Sequence, residues 1–391
     1  MAMTMTTTII TTTITSIDPE NRVGCPLSGG RRVLRKGLLM RLALVLDPRF
    51  PGGTSSAVAQ EIAELSDSYD LRVIGLETRH FKGRHVNPRL EAAMTRAGLH
   101  IEWAPAKVSA DVIAIHNPAA FKFDTALTTR FVARQLYVVA HENFLRPNGE
   151  PGFDVARSLR LIARNTLAQQ QLIAPVSAYN RETIERWRAM APEAAAPWHV
   201  AAENWFNICE FQTVAPTHSP RDRRGRVSRV GFEKFPARAV MERHFPPHAE
   251  YCAILGADNI LDVPEAPPAH WQLYRFGERE VAGFLEEIDF FVYFPNPCLR
   301  ESFGRVIVEA IAAGKLVITD TGTAQTFGPA VIASDGHDLD KIIARYTADP
   351  ASYVRFVEQA QIWMQRFSGR AFRASLHKQI EATERMPSAL L

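Results

Sequence analysis

From Met40 onward the chain alternates short apolar runs with longer amphipathic stretches, and this alternation narrows the possible folds more than any other feature. A strand buried on both faces needs a short run that is apolar throughout. A helix covering one face of a sheet needs a longer run that is apolar on one side only. The two in strict succession describe an α/β chain with a parallel sheet and crossover helices. Arg41 to Leu46 reads as the first buried strand, Asp47 to Ser56 as a loop and Ala57 to Leu65 as a helix. Further strands are expected at Leu71 to Leu76, Val112 to His116, Leu136 to Ala140 and Ile173 to Val176.

At 391 residues the chain exceeds what one hydrophobic core usually organises, so two domains are expected. Pro192, Pro197, Pro216 and Pro220 interrupt the pattern between Ala191 and Gly225, which places the junction there. A first domain over 40–200 and a second over 201–369 follow. Strands of the second are expected at Tyr251 to Leu255, Gln272 to Phe276, Phe290 to Phe294 and Leu316 to Thr319, with a helix from Phe303 to Ala313 before the last. The chain turns helical from Asp338 to Phe367, and a final helix from Arg370 to Arg385 is expected to cross back, so that 370–391 join the first domain.

Residues 1–39 differ in kind. A Thr-rich run from Thr4 to Thr15 leads to the basic stretch Arg31, Arg32, Arg35 and Lys36, the reverse of the charge order of a signal peptide, so a disordered leader is expected. No apolar run approaches the roughly 20 residues that span a bilayer. Four scattered cysteines, Cys25, Cys209, Cys252 and Cys298, show neither metal-ligand spacing nor the density of a disulfide scaffold and point to a reducing cytoplasm. With a formal net charge of only +3, no general nucleic-acid surface is expected. The oligomeric state is left open.

The segment with the most chemistry runs from Glu301 through Ser302, Phe303 and Gly304 to Glu309, and ends in Ala-Ile-Ala-Ala-Gly before a strand. Glu301 lies beyond the carboxyl end of a strand, where open parallel sheets bind ligands. The amides of Phe303 and Gly304 at the helix start suit a phosphate, and Gly304 lets it approach closely. Glu309, about a turn and a half on, is placed to accept hydrogen bonds from a ribose, and Glu301 from sugar hydroxyls.

Two glutamates at this spacing, followed by that Ala-rich string and strand, resemble the C-terminal signature of the retaining glycosyltransferases of family 4, which have the GT-B fold. The stretch Gly225-Arg226 followed by Lys234 resembles the family's Gly-Arg loop and Lys, and the resemblance implies that Arg226 and Lys234 hold the donor's diphosphate; a guanidinium grips phosphate bidentately and an ammonium adds a point charge. Here the polar Arg221-Asp-Arg-Arg224 stands where the family has a strand. In the first domain, Gly52-Gly53 after the first strand resembles the glycine turn that faces the cleft, with Gly53 at the donor. His141, in Val-Val-Ala-His-Glu-Asn, is expected to contact the transferred sugar near the reacting centre. His116, Glu142 and Asn143 are expected on the acceptor side. The loop Arg146 to Asp154 is a candidate lid over the acceptor, and Ser177 ends a further strand at the cleft without an assigned role.

The expectation is therefore a GT-B enzyme of two Rossmann-like domains that moves a sugar from a nucleotide-sugar, UDP- or GDP-linked, to a glycan, lipid-linked or small-molecule acceptor. The resemblance implies retention through front-face attack, a hexosyl-type transfer and a place in polysaccharide biosynthesis, with peripheral contact at the inner membrane face. The nucleotide-sugar is a substrate, so no cofactor is expected; no Asp-x-Asp or His-carboxylate cluster calls for a metal. A non-catalytic protein of the same fold and an NAD-type oxidoreductase are the alternatives. The latter needs Gly-x-Gly-x-x-Gly after a strand, and Gly52-Gly53 leads instead into Thr-Ser-Ser.

Overall fold

The computed structural model describes residues 39–50, 52–231 and 234–384. The expected leader, apart from Leu39, lies outside the described residues, as do Pro51, Phe232, Glu233 and Cys25.

The first sheet contains β1 (Arg41–Leu46), β2 (Asp70–Gly75), β3 (Ile101–Trp103), β4 (Lys107–His116), β5 (Arg130–Ala140), β6 (Thr166–Pro175) and β7 (His199–Val200). They lie in the order β3-β2-β1-β4-β5-β6-β7, every pair parallel. The second sheet contains β8 (Arg223–Val227), β9 (Tyr251–Leu255), β10 (Trp271–Tyr274), β11 (Phe290–Tyr293), β12 (Leu316–Thr319) and β13 (Ile332–Ala333), in the order β10-β9-β8-β11-β12-β13, again all parallel. Both are Rossmann-like. In each the strand order reverses once, between β1 and β4 and between β8 and β11, the point beyond whose carboxyl ends open α/β sheets form their binding crevice.

The central strands are buried through almost their whole length: Leu42 to Leu46 and Phe290 to Val292 expose nothing. Removing about 25 cal/mol per Å² of apolar surface from water is what drives both sheets beneath their helices. The short edge strands β3, β7 and β13 carry too few apolar residues to stand out in the sequence.

β8 departs from expectation, because a strand written Arg-Arg-Gly-Arg-Val reads as a solvated loop. It is buried because each arginine is paired. Arg223 makes two bonds to Asp289, at 2.8 and 2.9 Å. Arg224, fully buried, bonds Asp222 at 2.7 and 2.9 Å, Asp340 at 2.6 Å and the His244 carbonyl at 3.0 Å. Gly225 between them lies against Ile288 and Phe284, where a Cβ would approach Ile288 to 2.7 Å.

Residues 201–222 connect the two sheets. An aromatic chain runs along the seam: Trp205 to Phe372 at 5.6 Å, Phe372 to Phe206 at 5.5 Å, Phe206 to Phe367 at 5.5 Å and Phe367 to Phe303 at 5.1 Å. The last helix, Gly369–Glu384, crosses back onto the first lobe as expected. Its Arg373 pairs with Glu64 of the helix Gly53–Leu65 at 3.3 Å, and the Ile380 carbonyl accepts a bond from Gln135 of β5 at 2.9 Å. Among the described residues no helix is long and apolar enough to cross a membrane.

Candidate active site

The loops after β8 and β11 meet at the crevice of the second sheet. Lys234 Nζ lies 2.6 Å from Glu301 Oε1, and the Tyr293 hydroxyl donates to the same oxygen at 2.6 Å. Burial alone would raise the Glu301 carboxyl, but the Lys234 ammonium and these two hydrogen bonds hold it below the usual carboxylate range. The same burial, with Glu301 alongside, pushes the Tyr293 phenol well up, so it stays a donor. Lys234 and Glu301 are thus brought together, with Tyr293 as a third member whose place inside a strand read only as core.

Ser302, half-buried, and Gly304 follow. Gly304 has φ +88° and precedes the helix Arg305–Ala312, whose first amides have no partner within the helix. Phe303 turns its ring inward, 5.9 Å from Phe327 and 5.1 Å from Phe367, leaving only its backbone for a ligand. Glu309 is half-buried on the same helix; burial raises its carboxyl, against the charges of Arg305 and, from the other lobe, Arg89.

Arg226 does not hold a phosphate as expected, because it is buried. It exposes nothing and bonds the carbonyls of Phe294 at 2.9 Å and Lys234 at 2.7 Å and the Ser228 hydroxyl at 3.1 Å. Its guanidinium lies between the rings of Phe235 and Tyr293, at 4.5 and 5.0 Å. It fastens the loop that carries Lys234 and has no face for a phosphate. Burial lowers it to about 10. The exposed arginine of this loop is Arg229: its charge acts on Glu301, and a Cβ built on Gly52 of the opposite lobe would meet its Nη1 at 3.2 Å. The resemblance that put Arg226 at the phosphate reads Gly225-Arg226 as an open loop, whereas both residues lie inside β8 and are buried.

On the first lobe, Gly53 opens the helix Gly53–Leu65, and a Cβ there would meet nothing within 4 Å. His116 ends β4 and His141 follows β5, and the two rings meet: His116 Nδ1 lies 3.0 Å from His141 Nε2. His141 is partly exposed and His116 is only 1% exposed, so His116 does not reach an acceptor and instead backs His141. Burial lowers His141 to about 4 and His116 well below its ordinary value, so both are neutral at pH 7.

Asn143 is also engaged elsewhere. Its amide donates to the Arg300 carbonyl of the second lobe at 3.0 Å and its oxygen accepts from Asn180 at 3.0 Å, so it ties the lobes together beside Glu301. Glu142 is exposed. The loop 146–154 closes on itself through Arg146 N to the Glu150 carbonyl, 2.7 Å, and a bridge between Leu145 and Pro151. Ser177 caps the helix Ala178–Met190 by accepting from the Asn180 amide at 3.0 Å, which is its local role.

A cavity of about 1080 Å³ opens in the second lobe, walled by Met241, His244, Trp271, Phe294 and Arg300 among others. None of Lys234, Glu301, Gly304 and Glu309 lines it. The crevice with the charged groups is the better candidate, because diphosphate chemistry needs fixed charges and free amides rather than volume. At its edge Phe276 stands 57% exposed beside Gly256, which has φ +84° and packs against the Ser228 carbonyl. Among the described residues no group of three or more His, Cys, Asp or Glu is placed to hold a metal ion.

No family model and no curated protein matches the chain. Solved structures do. HepE of Anabaena in complex with UDP and glucose aligns with 88% of this chain and 100% of its own at 16% identity, TM-score 0.56. The same protein with UDP aligns over the same shares at 15% identity, TM-score 0.58. An alpha-glucosyltransferase in complex with UDP and a 13-mer DNA containing an HMU base aligns over 89% and 100% at 11% identity, TM-score 0.52. At these identities the likeness is one of fold, and with the strand orders above it assigns the chain to the GT-B architecture of two Rossmann-like domains.

Proposed function

We propose that the protein is a retaining glycosyltransferase that binds a nucleotide-sugar at the carboxyl edge of the second sheet and moves the sugar to an acceptor held by the first lobe. The observation that carries this reading is the buried Lys234–Glu301–Tyr293 cluster at the crevice, with Arg229 beside it and Gly52 facing it. Arg229, Lys234 and the backbone amides from Ser302 to Gly304 hold the donor's diphosphate. Glu301 takes sugar hydroxyls through its second oxygen, Glu309 the ribose hydroxyls, and Phe276 offers a face to the base. Gly53 lets the first lobe approach the donor closely, and His141 contacts the transferred sugar. The solved structures of this fold that contain UDP, with glucose in one case, favour a uridine donor and a hexosyl group.

In the transfer, the bond between the anomeric carbon and the diphosphate oxygen breaks as positive character grows on the ring. The acceptor hydroxyl adds from the same face, and its proton passes to the departing phosphate oxygen. Preorganised cations and amides lower the barrier by stabilising the charge that develops on the diphosphate, without a metal. The acceptor is a hydroxyl-bearing glycan or lipid-linked molecule, Glu142 lies on its side of the cleft, and the reaction belongs to polysaccharide assembly at the cytoplasmic face of the membrane.

Isothermal titration with UDP and UDP-glucose, in EDTA, tests the donor assignment, and chromatography of UDP released from UDP-glucose tests turnover. Saturable binding that weakens at least tenfold in Glu309→Ala supports the reading. Absence of binding to UDP-, GDP-, ADP- and TDP-sugars alike would contradict it.

A further inference from the structure

Behind His141 the first lobe contains a buried polar chain that sugar recognition alone does not require. Glu61, on the helix Gly53–Leu65, is 1% exposed. Its Oε1 accepts the Trp205 indole N–H at 3.0 Å. Its Oε2 lies 3.4 Å from His116 Nε2, and neither of these two buried atoms has another partner among the described residues. His116 Nδ1 in turn lies 3.0 Å from His141 Nε2. Four side chains from the interlobe connection, a helix and two strand ends thus form one line that terminates at the cleft.

We propose that Glu61 and His116 are positioning residues which fix the tautomer of His141, so that His141 presents an Nδ1–H donor to an oxygen of the transferred sugar. The inference rests on the transferase reading of the cleft. Along the line each atom has one role. Trp205 can only donate, so Glu61 Oε1 accepts. A protonated Oε2 then donates to His116 Nε2, which makes His116 Nδ1 the donor to His141 Nε2. The proton of neutral His141 is left on Nδ1, the nitrogen that His116 does not engage. If Glu61 is ionised the two histidine bonds reverse while Trp205 still donates: Oε2 accepts from His116, His116 Nδ1 accepts from His141 Nε2–H, and the cleft meets a bare acceptor.

The surroundings favour the protonated form. Burial raises the Glu61 carboxyl to about 8, opposed only by the Trp205 bond. Among the described residues no cation faces it from the packed elements. On its own helix Glu64 pairs with Arg373 of the crossing helix; on the helix Pro88–Ala97, Arg89 reaches Ser56. From β5 the Tyr137 phenol is turned to Gln135. His116 and His141, the titratable groups in the line itself, are both neutral. Trp205 also belongs to the aromatic seam leading to Phe303, so the line is anchored where the lobes join.

The test is nitrogen-15 NMR of the full chain labelled at histidine, with turnover of UDP-glucose followed in parallel. At pH 7 the wild type is expected to show His141 protonated at Nδ1; at pH 9.5, after Glu61 ionises, at Nε2. Glu61→Gln, whose amide both donates and accepts, should hold the Nδ1–H form at both values and keep kcat at pH 7 while losing the alkaline fall in kcat. The same His141 tautomer in the wild type at both pH values, or a Glu61→Gln protein that still switches, overturns the proposal. These resonances are read without substrate, so a protein that turns over no nucleotide-sugar but switches refutes the transferase reading alone.

Discussion

Lys234 Nζ and Glu301 Oε1 stand 2.6 Å apart and join the loops after β8 and β11 across the point where the strand order of the second sheet reverses. The pair sets the charge of the crevice. Glu301→Ala leaves the Lys234 ammonium, 7% exposed, without its counter-ion, at a cost of about 3–5 kcal/mol. Glu301→Gln keeps the bond from Tyr293 and costs less. Thermal denaturation should place the alanine variant well below the glutamine variant and both below the wild type; equal melting temperatures for all three would contradict the pairing.

Two arginines three residues apart should behave oppositely. Arg226→Ala removes a fully buried group with three oxygen acceptors and should destabilise the fold by about 3 kcal/mol or more. Arg229→Ala should leave the melting temperature unchanged and weaken UDP binding ten- to a hundredfold. Denaturation curves and calorimetric titration on both variants decide the matter.

The register of this loop also marks the limit of what the sequence conveys. Glu301 and Gly304 could be located because strand, loop and helix follow one another there with ordinary apolar patterning, and Lys234 only through a resemblance of its loop. β8 could not: Arg223, Arg224 and Arg226 look like solvent residues, and only Asp289, Asp222, Asp340 and the Phe294 carbonyl, all brought from distant sequence or turned inward, make them buried. The parallel sheets were legible because strands buried on both faces are apolar throughout, whereas β3, β7 and β13 are too short to carry a pattern. His116 was recognised at a strand end, but its partner Glu61 sits in a helix whose spacing marks it only as an inward position.

Stability should depend on pH through Glu61. Its folded value of about 8 exceeds the ordinary 4.5, so its contribution is fully present below 4.5 and is lost as pH rises through 8. His141 acts the other way, from 6.5 down to about 4, so the two partly cancel in the acid range. Between pH 6.5 and 8 the wild type should lose up to about 1.4 kcal/mol of unfolding free energy per pH unit. Urea denaturation at several pH values should show that slope, and Glu61→Gln should flatten it.

Asn143 should matter to the relation of the lobes rather than to the acceptor. Asn143→Ala removes the bond to the Arg300 carbonyl and leaves the Asn180 amide with only the Glu142 carbonyl, 3.2 Å away, at about 1–3 kcal/mol. Hydrogen exchange should quicken in the 295–301 loop, and KM for the donor should rise several-fold with little change in KM for the acceptor. The reverse pattern would return Asn143 to the acceptor side.

The crevice at Lys234 and Glu301 is the place where a nucleotide diphosphate should bind. Diffraction from crystals grown with UDP should show the diphosphate between Gly52 and the Gly304 helix start, contacted by Arg229 and Lys234, with its ribose at Glu309. UDP found instead in the 1080 Å³ cavity beside Trp271 and His244, or an empty crevice at saturating UDP, would contradict it.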